Sequence, residues 1–95
     1  MANLRPAETA PLSRLITKLH VTSAGTSRIR ALVDGWREGR DTAPEIRRIL
    51  VEAAKWSAGP CPEDHRESER WCRNFDSTCD EIDRVLIGLS KREVA

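Results

Sequence analysis

Residues 62–90, PEDHRESERWCRNFDSTCDEIDRVLIGLS, decide how the chain is read. His65, Cys72, Cys79 and Leu86 share one heptad position, while Ser68, Phe75, Ile82 and Leu89 share another. The two sets alternate three and four apart, as on the buried seam of an α-helix. The spacing predicts a helix over about 62–90, opened by Pro62 at its first position and by Glu63 and Asp64 near the positive end of its dipole. Between Pro62 and Asn74 the only large apolar residue is Trp71, so that half leans on Glu–Arg pairs such as Glu69 with Arg73. Asp76 or Ser77 offers a competing cap for a fresh helix from Thr78. Continuity through Asn74 is the expectation.

Upstream of this stretch, Ser57-Ala58-Gly59-Pro60 stops a preceding helix of about 43–57. Its start, Thr42-Ala43-Pro44-Glu45, has capping-box form, the Thr hydroxyl accepting from the Glu45 N–H. Ile46, Ile49, Leu50, Ala53 and Trp56 then line one face. Before that, Ile29, Leu32, Val33 and Trp36 repeat the stripe in a helix of about 24–38, which begins between Ser23 and Ser27. Gly39 stands where a left-handed C-terminal cap takes glycine. The first helix, about 10–20, carries Leu12, Leu15, Ile16 and Leu19 at one face, with Thr9 as its cap and Pro11 in its early turn. Residues 1–9 read as a mobile arm.

These segments make one all-α domain, a bundle in which three short helices pack on the long C-terminal one. The predicted core is Leu12, Leu15, Ile16, Leu19, Ile29, Leu32, Val33, Trp36, Ile46, Ile49, Leu50, Ala53, Phe75, Ile82, Val85, Leu86 and Leu89. Ninety-five residues suit a single modest core, and 39% apolar with 33% charged residues is globular composition. No apolar run approaches the roughly 20 residues of a membrane span, and the first residues lack the order of a signal peptide. Three cysteines, an odd number, fit reduced thiols and a cytoplasmic setting.

Net charge is +1, unevenly placed: residues 1–50 carry nine cationic against five acidic side chains, and residues 51–95 seven against ten. From Thr9 to Val33, Arg14, Lys18, Arg28 and Arg30 meet no acid at all. Such a chain either binds a polyanion at one end or pairs its own two halves.

Catalytic constellations are missing. Cys61, His65, Cys72 and Cys79 are the zinc-ligand types, but positions seven apart on one helix are separated by about 10.5 Å along its axis, whereas zinc ligands sit about 2.0–2.3 Å from a shared ion. No metal and no cofactor is expected. The same distance separates Cys72 from Cys79, which read as small buried hydrophobes. His20 reads as a dipole partner at the end of the first helix and His65 as a half-exposed seam residue. Neither has an orienting partner or an oxyanion turn, and no phosphate loop is present. The chain is read as a non-enzyme.

Two functions remain. The first is a non-catalytic module that binds a protein or protein–nucleic acid complex through a charged strip on the last helix: Glu67, Glu69, Arg73, Asp76, Asp80 and Asp83, with Trp71 as an exposed anchor. Trp36 and Trp56, which end helical stripes, are assigned to the core. Small cofactor-free helical proteins are common among phage and mobile-element products, anti-CRISPR inhibitors included.

The second comes from residues 15–29, LITKLHVTSAGTSRI, which resemble a bacterial helix-turn-helix segment in which a Leu-Gly-Val-Ser turn precedes the recognition helix. Leu19, Val21, Thr22, Ser27 and Arg28 match in kind. His20 stands at the turn glycine, Ile16 at a normally small position, and Thr26 at a normally aliphatic one. The resemblance implies a DNA-binding regulator: Ser23, Ala24, Ser27 and Arg28 face the major groove, Arg14, Lys18 and Arg30 sit on phosphates, and the chain homodimerises through its last helix.

Overall fold

The computed structural model describes residues 6–94, with side chains described from 10 to 90. Four helices account for nearly all of it: α1 (Pro6–Lys18), α2 (Ser23–Arg37), α3 (Ala43–Ala58) and α4 (His65–Val94). α1 and α3 lie against α4, and α2 lies chiefly on α3. The long dimension, 51 Å against 26 and 21 Å, follows from α4, whose 30 residues span about 45 Å at about 1.5 Å each. No helix among the described residues is long and apolar enough to cross a membrane.

α1 starts earlier than Thr9 implies. Pro6 takes the first helical position, where its missing N–H costs nothing, and Pro11 falls inside the helix. Residues 6–9 of the expected arm are therefore helical, and residues 1–5 lie outside the described residues. Leu12, Leu15 and Leu19 are buried, with Ile16 at the edge of the core.

Two helix ends close in the same way. At the end of α2, Gly39 adopts φ +93°, and the N–H groups of Gly39 and Arg40 donate to Trp36 and Gly35 at 2.9 and 3.0 Å. This is the paired capping that glycine favours. After α1 it recurs with His20 in the left-handed position, φ 54°, as His20 and Val21 donate to Thr17 and Ile16 at 3.2 and 3.1 Å. Thr22 then caps α2, its hydroxyl oxygen accepting from the Gly25 N–H at 3.0 Å.

The capping box expected at Thr42 does not form. Thr42 is itself in the helical region, where its hydroxyl cannot reach back to Glu45, and that hydroxyl instead donates to the Leu32 carbonyl at 2.6 Å. The Glu45 carboxylate takes Arg28 at 2.9 Å. Both groups of the would-be box are thus spent on tying α3 to α2.

The core centres on Ile29, Ile46, Leu50, Ile82 and Leu89. On α3 the buried positions are Ile46, Leu50 and Ala54, with Ile49 and Ala53 only half-buried. Trp56, assigned to the core from its spacing, is 85% exposed. Six residues at about 100° each set it about 120° around the helix from Leu50, beyond the packed face. α4 runs unbroken through Asn74 and begins at His65 rather than Pro62, because Asp64 caps it: its carboxylate accepts from the Glu67 N–H at 3.2 Å. Ile82, Leu86 and Leu89 are buried, but Cys79 is half-exposed and His65 and Cys72 are exposed. The heptad seam is filled only where α1 and α3 reach it.

Part of the uneven charge is paired internally. Lys18 pairs with Glu81 at 2.8 Å and Arg47 with Asp83 at 2.7 Å, each joining the cationic half of the chain to the acidic half.

Candidate protein-interaction surface

Trp71 is no exposed anchor. Its indole N–H donates to the Ala58 carbonyl at 3.1 Å, and its ring stacks on Phe75 with centroids 5.4 Å apart and planes 6° from parallel. A half-buried indole with its polar edge occupied fastens the start of α4 to the end of α3. Glu69 meets His65 at 3.1 Å rather than Arg73, as both lie one turn apart on the same side. Asp83 is half-buried, and its two oxygens receive Arg47 Nε at 2.7 Å and Nη2 at 3.5 Å. That hydrogen bond, then the carboxylate charge, raises the Arg47 pKa above its ordinary value. Glu67, Arg73, Asp76 and Asp80 remain exposed.

The residues nominated for DNA are all exposed, namely Arg14, Lys18, Ser23, Ala24, Ser27, Arg28 and Arg30. Two of their charges are already engaged, Lys18 by Glu81 and Arg28 by Glu45.

A different surface stands out, one the residue spacing did not single out. Between the α1–α2 turn and α3 lies an open groove of about 700 Å³, walled by Leu19, Val21, Gly25, Ile49 and Ala53, with Trp56 at its lip. His20, Thr22, Arg48, Glu52 and Ser57 line its rim. Ser57 fixes the geometry: its hydroxyl donates to the Leu19 carbonyl at 2.9 Å, pinning the turn against α3. Gly25 allows the close approach, since a Cβ there would stand 2.8 Å from Val21 Cγ1 and 3.2 Å from the Thr22 hydroxyl. Arg47 and Trp56 are nine residues apart, about 900° or two and a half turns. The groove and the acidic side of α4 therefore flank α3 on opposite sides.

The signal for this surface was the width of the apolar stripe on α3. Ile46, Leu50 and Ala54 fill one face, and Ile49, Ala53 and Trp56 extend it beyond what a single packed face absorbs.

Chemistry is sparse around the thiols and imidazoles. Among the described residues, no group of three or more His, Cys, Asp or Glu is placed to hold a metal ion. His65 contacts Glu69, while Cys61 shares a hydrogen bond with Ser68 at 3.2 Å. Burial pushes the Cys79 thiol pKa above its ordinary value, against the pull of Arg47 and with the help of Asp76, Asp83 and Asp80. Comparison with protein-family models, curated proteins and solved structures gave no match, so the residues alone carry the functional reading.

Proposed function

We propose that the chain is a non-catalytic protein-binding module that acts by occupying a macromolecular partner, as small phage or mobile-element inhibitors such as anti-CRISPR proteins do. Its contact surface is the Trp56 groove rather than the strip on α4. The observation that carries this reading is the 85% exposure of Trp56. A tryptophan buries roughly 150–250 Å², worth about 4–6 kcal/mol at about 25 cal/mol per Å². A fold that leaves this unused, beside half-exposed Val21, Ile49 and Ala53, has a surface suited to being covered. Tryptophan is also the residue most enriched among interface anchors.

Affinity capture compares the wild-type chain with Trp56→Ala and with Asp80→Lys. Trp56→Ala keeps its helicity and weakens capture of the wild-type partner about 30-fold or more, the effect of losing an anchor worth at least about 2 kcal/mol. Asp80→Lys, on the far side of α3, captures as wild type. Equal capture by Trp56→Ala and wild type would sink the assignment.

One observation favours the DNA-binding alternative. His20 takes the left-handed turn position and Thr22 caps the following helix, so the local helix–turn–helix path is present. This reading requires duplex-DNA affinity that falls steeply with salt and disappears in Arg28→Ala/Arg30→Ala.

A further inference from the structure

We infer that Cys61 and Cys72 are a redox pair, whose oxidation to a disulfide staples the α3–α4 connection onto the second turn of α4. Cys61 lies in the connection between Ala58 and His65, and its thiol is exposed. The sulfur rests 3.2 Å from Ser68 Oγ on α4. Ser68 and Cys72 are four apart on one unbroken helix, so their Cβ atoms are neighbours about 5–6 Å apart. Cys72 is also exposed. The Cys61 sulfur therefore sits on the helical face where the next thiol is one turn away.

A disulfide needs Cβ atoms within about 3.5–4.5 Å, so the connection must slide along α4 by part of a turn. The Cys61 thiol itself is lightly held, while the Asp64 cap keeps the start of α4 in place. The polar contacts of the Cys61 thiol are those with Ser68 and the Pro62 carbonyl, the latter at 3.7 Å. Gly59, at φ +72°, has open space around the position of a Cβ and serves as the pivot where α3 ends. The third thiol is excluded by geometry. Cys79 is seven residues from Cys72, about 10.5 Å along the axis, and it is half-buried with its ionisation opposed by burial.

The oxidant is a peroxide. One thiolate attacks a peroxide oxygen and breaks the O–O bond, becoming a sulfenic acid. The hydroxide released takes up the proton that the thiol gave up and leaves as the first water. The second thiolate displaces hydroxide from that sulfur, which forms the S–S bond and, with a proton, a second water. Two thiols give up two electrons, and one hydrogen peroxide becomes two waters.

The test exposes the full chain to hydrogen peroxide, alkylates the remaining thiols, and maps the peptides without reduction. One linkage is expected, Cys61 to Cys72, with the loss of two hydrogens and Cys79 alkylated. Tryptic cleavage after Arg66 and Arg70 slows about tenfold or more, because the ring constrains local opening, and dithiothreitol restores it. Cys61→Ser and Cys72→Ser keep wild-type helicity and show neither effect. A bond to Cys79, a bond between two chains, three alkylated thiols, or a Cys61–Cys72 bond that leaves cleavage unchanged overturns the inference.

Discussion

The two halves of α4 share one backbone helix and differ in what holds them. From Phe75 onward the helix is fixed by burial, with Ile82, Leu86 and Leu89 enclosed and Phe75 and Val85 packed at the margin. From His65 to Asn74 only Ser68 and Trp71 are half-buried, and every other side chain faces water. This first half keeps its form through the Asp64 cap, the Trp71 contact with Ala58, and a run of Glu and Arg with good helical propensity. A helix can therefore continue well past the seam that nucleates it, provided one aromatic and one cap secure the far end.

Removing a side chain from each half exposes the difference. Ile82→Ala empties a site with 0% exposure, and we expect a loss of about 3–4 kcal/mol in global stability, measured by urea unfolding. Against a total of about 5–15 kcal/mol for a typical domain, this is the largest of the effects expected along α4. Trp71→Ala should cost about 2 kcal/mol, less than the figure for a fully enclosed aromatic because the ring is half-buried. Its signature is local: hydrogen exchange accelerates over residues 65–74 while residues 78–90 keep their protection. Uniform acceleration along α4 would show that the two halves are one cooperative unit.

Asp64→Ala follows, at about 1 kcal/mol, the usual worth of an N-terminal cap. Exchange should quicken in the first turn of α4 alone, around Glu67 and Ser68, whose N–H groups bond to Asp64. If the helix instead started cleanly at Pro62 in solution, this substitution would leave those amides untouched.

The periodicity of α4 carried the architecture correctly because the seam residues from Phe75 to Leu89 are large, apolar and three or four apart. It misled at His65 and Cys72, which keep the heptad position in a region that no partner helix covers. Spacing says which residues share a face and is silent on whether anything lies over that face. The tryptophans show the same limit. Trp56 and Trp71 exchange the roles their neighbourhoods imply: the apolar-rich helix has more apolar surface than its packed face can absorb, and the apolar-poor one uses its single indole for docking. The Thr42 box failed for a tertiary reason, since Leu32 and Arg28 on α2 offered its two polar groups other partners. Gly39 and the Leu12, Leu15 and Leu19 stripe were legible because their causes are local.

The smallest effect lies at the boundary between the halves, on Cys79. Burial holds its thiol pKa above the ordinary 9.0, outweighing Arg47, with Asp76, Asp83 and Asp80 adding to the rise. A group whose folded pKa is raised stabilises fully below its unfolded value and loses that contribution as pH climbs through the folded one. Below 9.0 both states keep the proton. Above it the unfolded chain ionises first, and the folded state falls behind. Wild-type stability should therefore decline as pH climbs past 9.0 by more than that of Cys79→Ser. Parallel curves for the two proteins would mean that Cys79 is open to water, and that the packed part of α4 begins only at Ile82.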